Sequence, residues 1–446
     1  MNAGLIVKLR PTGPWRIGPD SGARNRVDVI YHSDSLYSAV TAAMGRLGAL
    51  EEWLDHTARN SDPAVCFSSC FPYSEEISFV VPPRTVWPPY SPSAMSGRVR
   101  WKSARFVPLE VVRSILAKQL LDDTQWSVDG PSECLVPAGR PGPFRTSVRW
   151  SAAVDRLTGA TERHSTACIE FRQEAGLWTV VSFREEGAHA RWAEPIKAAF
   201  RLLADTGFGG ERSRGWGRSD APEFIEGRLP EMILPPTVLS EPRVDVAAPE
   251  PEPVPPTSEL EPAEELTPES ARELLERIVD AAISGSSEPP VGTPPNGSAS
   301  GPQRFEAGAA ISGEPQSSVG VLEMEAPPEV AETTEIESGP SPLPEPVVGV
   351  EPGAQAHWLL SLFTPSGADR IDWRRGNYTV LARGGRVESP AGSGELKKQL
   401  QMVAEGSVLH TETAPRGSAA DVAPDGFAHP VYRAGFAMAI PLPEVR

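Results

Sequence analysis

The sequence predicts an α+β protein: a ferredoxin-like βαββαβ order with insertions, followed by a smaller β-rich α+β unit. Three observations predict it. In the first 235 residues, strand-like apolar runs alternate with two segments of helical periodicity. A long acidic, proline-rich stretch then interrupts the pattern. Beyond it, strand-like runs return without a strong 3.6-residue repeat.

Leu5–Leu9 reads as the opening strand, broken by Arg10-Pro11-Thr12-Gly13-Pro14-Trp15. A polar loop with Arg16, Arg24 and Arg26 leads to a helix for which Ser33 is the expected N-cap. Leu36, Ala39, Val40, Ala43, Met44 and Leu47 fall on one face of that helix, and Gly48 ends it. Val65–Phe67 and Ile77–Val81 are the next strands, the second stopped by Pro82-Pro83. Residues 82–106 form a long loop, Pro108–Leu121 is expected to be helical, and 127–150 has no regular pattern. Ala167–Phe171 and Leu177–Phe183 are expected to pair as a hairpin around Glu174-Ala175-Gly176. Ala190–Leu203 is the second helix, with Trp192, Ile196, Ala199, Phe200 and Leu203 inward. A glycine-rich loop and a strand near Glu223–Ile225 close this part. Further strands are expected at His357–Phe363, Tyr378–Ala382, Leu400–Ala404, Ser407–His410 and Phe436–Ile440, in what reads as a degenerate second copy of the first unit.

Three regions follow: 1–240, 241–356 and 357–446. The middle one carries 21 of the 48 prolines and 23 acidic residues against four basic ones, Arg243, Arg272, Arg277 and Arg304. Such a composition buries too little apolar surface to offset ordering entropy, so a disordered linker is expected. Its one helix-prone island opens at Thr267-Pro268 and runs through Asp280. The island reads as a transient helix or a partner-binding motif.

The formal net charge of −17 would argue against a nucleic-acid partner if it were spread evenly. Outside the linker, however, 38 basic residues face 36 acidic ones, so local basic clusters can act. No run approaches the 18 or so apolar residues of a membrane span. The first ten residues hold too short an apolar run for a signal peptide, which leaves a cytoplasmic protein as the expectation. Cys66 and Cys70 have two-ligand spacing, but Cys134 and Cys168 stand apart; buried reduced thiols are expected rather than a metal site. No Walker motif, Ser-His-Asp order or RNP1-type aromatic box is visible, and no cofactor is implied.

The segment that carries the most chemistry is Asp205-Thr206-Gly207-Phe208-Gly209-Gly210-Glu211-Arg212-Ser213-Arg214-Gly215-Trp216-Gly217-Arg218. Its glycines let a backbone approach a ligand and expose N–H groups. Arg212, Arg214 and Arg218 add cations and Trp216 a stacking face, a combination suited to a phosphate backbone with unpaired bases. A tight turn that merely reverses the chain is the simpler alternative. Arg98, Arg100, Trp101, Lys102 and Arg105 interleave cations with an aromatic, and Arg140, Arg145, Arg149 and Arg156 sit among Gly and Pro; each group suits RNA or a solvated loop.

The loop resembles the glycine-rich loop of the RAMP superfamily of CRISPR proteins. Ile30-Tyr31-His32-Ser33-Asp34-Ser35-Leu36-Tyr37-Ser38-Ala39 resembles the start of the first helix in the fourth Csm subunit of type III-A effector complexes. His429-Pro430-Val431-Tyr432-Arg433-Ala434-Gly435 resembles the closing motif of the same subunit. The resemblance spans about residues 3–235 and 357–443. It implies tandem ferredoxin-like (RRM-like) RAMP domains and a β-hairpin thumb, expected within 131–172. It also implies a non-catalytic subunit that caps the complex and holds the repeat-derived 5′ tag of the crRNA. Its partners would be the large polymerase-like subunit and a backbone RAMP subunit. RNA contacts are expected from Gly207, Gly209, Gly210, Arg212, Ser213, Arg214, Gly215, Trp216 and Arg218. Ser33 and Ser35 at the helix start, Arg145 in the thumb, and His429 and Arg433 near the end complete the set.

Two other functions remain open on sequence. Histidines near the first helix act as general bases in some RAMP ribonucleases, which makes His32 the one catalytic candidate for a metal-independent endoribonuclease. A protein-interaction adaptor with the acidic linker as its active part is the other.

Overall fold

The computed structural model describes residues 2–18, 23–89, 101–235, 354–389 and 392–443. Arg98, Arg100 and most of the acidic segment, with its Thr267–Asp280 island, lie outside them. The described residues are α+β, with sheets paired antiparallel throughout.

Up to residue 235 the strands are β1 (Asn2–Leu9), β2 (Val65–Phe67), β3 (Phe71–Ser74), β4 (Ile77–Val80), β5 (Val107–Pro108), β6 (Trp126–Asp129), β7 (Cys134–Pro137), β8 (Phe144–Val154), β9 (Thr161–Phe171), β10 (Ala175–Phe183) and β11 (Glu223–Leu229). Helices are α1 (Ser33–Arg46), α2 (Leu50–His56), α3 (Leu109–Leu116) and α4 (Glu186–Thr206). β1 pairs with β10 on one side and β11 on the other, and β10 continues to β2 and to β3, β4 and β5. Counting only β1, the β2–β3 segment, β10 and β11, the sheet order is 4-1-3-2, the order in which a βαββαβ chain places its strands with every pair antiparallel.

The periodicity of α1 and α4 explains their seats. Leu36, Val40, Ala43 and Met44 of α1 are buried, as are Trp192, Ile196, Ala199, Phe200 and Leu203 of α4. Leu47, expected on the same face, is 46% exposed because α1 ends a residue earlier. Gly48 takes a positive φ and stops the helix as expected. Pro108–Leu121 is helical only over Leu109–Leu116.

Two strand expectations are corrected. β10 does not form a hairpin with β9. Its two edges are taken up instead by β1 and by β2–β3, and all nine of its residues are buried. β9 instead pairs with β8 along eleven registered positions, from Phe144↔Phe171 to Val154↔Thr161. The stretch 127–150 is therefore not irregular: it holds the β6–β7 hairpin and the first half of the β8–β9 hairpin. The outer part of β8–β9 stands in solvent, with Trp150 69%, Val154 60% and Leu157 96% exposed.

After residue 353 come β12 (Gln355–Leu359), β13 (Ile371–Asn377), β14 (Val380–Arg383), β15 (Arg386–Ser389), β16 (Gly392–Leu396), β17 (Leu400–Val403), β18 (Val408–Thr411), β19 (Gly417–Asp421), β20 (Tyr432–Phe436) and β21 (Ala439–Pro441). The principal sheet runs β13-β18-β12-β21. Numbered by their own sequence order, these four strands lie 2-3-1-4, the same antiparallel arrangement as the first sheet read from its other edge. No helix occurs among the described residues of this part. Phe436–Ile440, expected as one strand, is divided between the end of β20 and β21.

The two parts share one core. Trp358, Leu360, Phe436, Met438 and Ile440 belong to the same buried cluster as Leu5, Val40, Phe67 and Phe200. Tyr37 of α1 meets Phe436 edge-to-face, with ring centroids 5.4 Å apart. The described residues form a single compact unit.

The exposure of the outer β8–β9 hairpin yields a prediction. Replacing Trp150–Ser165 by a two-residue Asn-Gly turn joins Arg149 to its partner Thr166 and removes little buried surface. The thermal midpoint of the variant should stay within a few degrees of the parent, read by circular dichroism; a drop of 15 °C or more would show that the hairpin is part of the core.

Candidate nucleic-acid interface

The start of α1 is the most heavily charged buried point among the described residues. His32 occupies the N-cap position, so Ser33 is the first helical residue and not the cap. The His32 ring is 2% exposed and lies between two carboxylates: Nδ1 is 2.7 Å from Glu405 and Nε2 3.1 Å from Asp28. The Ser69 hydroxyl donates to the same Glu405 carboxylate. Burial alone would lower the imidazole's pKa, but Glu405 and Asp28 outweigh it and raise it from 6.5 to about 9. His32 is thus an imidazolium at neutral pH, with both N–H groups engaged.

Asp34, two residues on, is also 2% exposed. Arg383 grips it bidentately, Nε to Oδ2 and Nη2 to Oδ1, both at 3.1 Å. Arg433 donates to Oδ2 from the other side and, through Nη2, to the Gly384 carbonyl. Burial would raise the carboxyl's pKa, yet the two guanidinium groups bring it down to about 2. Arg383 also donates to the Ser35 hydroxyl at 3.1 Å. The Ser33 hydroxyl accepts the Leu362 N–H at 3.0 Å, and the Ser33 N–H donates to Ser69.

Four of the sequence candidates thereby receive places different from those expected. Ser33, Ser35, Arg433 and His32 hold the two parts of the chain together at the helix start. The two motifs that carry the family resemblance, 30–39 and 429–435, meet each other through Asp34 and Arg433. Arg383, Glu405 and Asp28 complete the network and were not singled out in the sequence. A buried carboxylate needs a cationic partner, but nothing local indicates which cation, 349 or 399 residues away, supplies it. His429 lies at the surface, its Nδ1 2.9 Å from the Pro430 carbonyl and its ring edge-to-face with Phe427.

The glycine-rich loop follows α4 directly. Phe208 is its anchor, 2% exposed and edge-to-face with Trp15 at 4.5 Å and Tyr31 at 5.0 Å. Two of the glycines serve this internal packing and not ligand approach. Gly217 has φ +78°, and a Cβ there would lie 2.1 Å from the Phe208 carbonyl; Gly209 has φ +89°, with the Arg16 carbonyl 2.6 Å from its would-be Cβ. Gly207 is the C-cap of α4 and Gly210 donates its N–H to the Arg16 carbonyl. Only at Gly215, among the five glycines of Gly207–Gly217, would a Cβ meet open space.

The loop's cations point outward. Arg212 pairs with Glu388 in the C-terminal part. Arg214 reaches Glu211 at 3.3 Å and His164 of β9 at 3.3 Å. Arg218 and Ser213 are exposed and Trp216 is half-buried. Arg218 has no carboxylate at ion-pair distance among the described residues. Its carbonyl accepts the Thr12 N–H, and the Gly217 N–H donates to Pro14. The backbone of the loop is therefore tied to the segment 11–14.

That segment forms one wall of a pocket of about 600 Å³. Pro11, Thr12, Gly13 and Pro14 face Arg145, Arg149, Glu170, Phe171 and Arg172 at the root of the β8–β9 hairpin. Glu170 takes Arg145 at 3.0 Å and Arg149 at 2.6 Å, so the pocket carries a cationic excess beside an aromatic wall. Of the residues singled out in the sequence, Arg145 and Arg149 fall here, and Arg218 is tied by its carbonyl to Thr12 in the wall. Arg172 was not anticipated, because its place depends on the unexpected β8–β9 pairing. Trp101, from the other proposed cluster, is buried against Trp87, with centroids 5.5 Å apart, and the exposed Arg105 pairs with Asp28 at 3.5 Å. All four cysteines are buried free thiols. Among the described residues no group of three or more His, Cys, Asp or Glu is disposed to hold a metal ion, and no helix is long and apolar enough to cross a membrane.

Residues 353–442 match the family model of the CRISPR Csm4 C-terminal domain. The C-terminal part of the chain is thus Csm4-like. Among solved structures it is similar to a chain of the Csm1–Csm4 cassette in complex with cA4, at 14% identity over 99% of both chains and a TM-score of 0.44. It is likewise similar to a chain of the Csm3–Csm4 subcomplex of the type III-A CRISPR–Cas interference complex, at 12% identity over the whole of both chains and a TM-score of 0.49. A chain of the type III-B Cmr-beta complex bound to cognate target RNA is more distant, at 9% identity over 50% of this chain and 60% of its own, with a TM-score of 0.28. No curated protein matches the chain.

The buried network sets two expectations. Asp34→Asn leaves two buried guanidinium groups without their anion, which should cost about 3–5 kcal/mol in urea unfolding. The network should also give stability a signature at both ends of the pH scale. His32 has a raised pKa, so its contribution is complete below pH 6.5 and lost as pH rises through about 9. Asp34 has a lowered pKa, so its contribution is present above pH 3.8 and lost as pH falls to about 2. Urea midpoints from pH 6 to 10 should fall with pH in the parent and less steeply in His32→Gln.

Proposed function

We propose that this chain is a non-catalytic, RNA-binding structural subunit of a type III-A CRISPR interference complex. In this reading it is built from two ferredoxin-like RAMP domains, spanning about residues 1–240 and 357–446 and joined by the acidic segment 241–356. It holds the 5′ tag end of the crRNA and docks on the large polymerase-like subunit and on a backbone RAMP subunit. The observation that carries the reading is the cationic pocket between the segment 11–14 and the root of the β8–β9 hairpin, with the glycine-rich loop hydrogen-bonded to that same segment. Arg145, Arg149, Arg172 and Arg218 offer guanidinium groups to phosphates, and Phe171 and Trp216 offer faces to unpaired bases. The β8–β9 hairpin, within 131–172, is the thumb. The match to the Csm4 C-terminal domain and the shared 4-1-3-2 strand order of the two sheets support the assembly and the tandem fold.

His32 takes no catalytic part in this proposal. A general base needs a free lone pair on nitrogen, and an imidazolium donating to two carboxylates has none.

Co-expression with the neighbouring genes and a repeat array, followed by sequencing of the 5′ ends of bound RNA, tests the proposal. The parent should copurify with partner proteins and with RNAs sharing one repeat-derived 5′ tag. Arg145→Ala/Arg149→Ala/Arg172→Ala should lower recovery of the tag about tenfold or more while the protein stays folded. Random RNA or none, from a chain that purifies alone, would overturn the assignment.

A further inference from the structure

The C-terminal part carries an exposed aromatic–arginine ridge that neither the pocket nor the buried network uses. Trp373 on β13 and Tyr378 just after it pack edge-to-face, with ring centroids 5.1 Å apart and planes at 70°. Each remains 38% exposed, and Val380 beside them is 54% exposed. β13 is the edge strand of its sheet and changes register between Asp372 and Asn377, so the ridge lies on a free margin of the fold.

Its charges separate this ridge from an ordinary apolar patch. Arg370, Arg374 and Arg375 are all exposed. None of them forms an ion pair with a described residue. The two acidic neighbours are otherwise engaged. Asp372 accepts the backbone N–H groups of Arg374 and Arg375, and Asp369 accepts those of Ser366, Arg416 and Gly417. Three unneutralised guanidinium groups around an exposed aromatic pair leave a surface complementary to an anionic partner with flat faces.

We infer that the Trp373–Tyr378 ridge is a second contact for single-stranded RNA, with bases stacked on the aromatic pair and phosphates held by Arg370, Arg374 and Arg375. Stacking on aromatic side chains tolerates any base, so the contact is sequence-independent. Guanidinium–phosphate contacts make it salt-dependent. The inference extends the RNA-binding reading to a separate surface and does not rely on the 5′ tag.

The test uses the full chain and a fluorescein-labelled 20-nucleotide oligouridine, titrated by anisotropy at several salt concentrations. Trp373→Ala/Tyr378→Ala should weaken binding about tenfold with little change in salt slope. Arg374→Ala/Arg375→Ala should weaken it comparably and reduce the slope by about 2. Trp373→Phe/Tyr378→Phe, which keeps the faces, should retain most of the affinity. All these side chains are exposed, and unchanged thermal midpoints would confirm that the variants fold. Unaltered RNA affinity in both alanine pairs would overturn the inference. So would loss of a protein from the copurified complex while RNA affinity holds, because the ridge would then be a protein-docking surface. Failure of the pocket proposal shows separately, as tag recovery unaffected by the Arg145/Arg149/Arg172 substitutions.

Discussion

At the first turn of α1, a buried carboxylate is held between two buried guanidinium groups that arrive from the far end of the chain. Asp34 cannot sit uncompensated at 2% exposure, and Arg383 and Arg433 are nearly as buried as the carboxylate they serve. Two residues earlier, His32 is clasped by Asp28 and Glu405. Such pairs add little net stability over a well-packed apolar core, but breaking one strands a charge in a low-dielectric interior. Their weight is thus specificity: they fix how the C-terminal sheet docks on the first helix. The Leu362 N–H that meets Ser33 and the Phe436 ring that meets Tyr37 follow from that docking.

The same constraint separates the two kinds of residue in the family-like motifs. Residues 30–39 and 429–435 look functional because they are polar and closely spaced, yet His32, Ser33, Asp34 and Arg433 are turned inward, and Asp34 joins the two motifs through Arg433. The outward-facing chemistry lies elsewhere, on the hairpin root, the loop arginines and the β13 edge. The glycine-rich loop divides in the same way. Phe208, Gly209 and Gly217 wedge it against Trp15, Arg16 and Tyr31, while Arg214, Gly215 and Arg218 remain at its outer rim.

Local patterns were legible and long-range partners were not. The apolar faces of α1 and α4 stand out at 3.6-residue spacing, and each helix lies where that spacing puts it. β1, β2, β4 and β11 were recognisable as apolar or β-branched runs between breakers. The pairing of β10 was not, because a strand buried on both faces has no alternation to reveal its neighbours. β8 was missed for the opposite reason: its eleven residues are mostly exposed, held by the register with β9. The site shows the same split. Arg145 and the loop arginines could be named from composition, whereas Arg172, Arg383 and Glu405 acquire meaning only once distant segments are neighbours.

The 399-residue separation between Asp34 and Arg433 also has a consequence for biosynthesis. At translation rates of about 5–20 residues per second, Asp34 leaves the ribosome roughly 20–80 seconds before its partner is made. Through most of that interval the first helix can form, but its opening turn must keep its carboxylate hydrated until Arg383 is made. A chain whose synthesis stops before Arg433 has at most one of the two guanidinium groups that hold Asp34. Complete closure at α1 thus depends on synthesis having passed Arg433, and a quality-control protease would meet earlier stalled products with that seam incomplete.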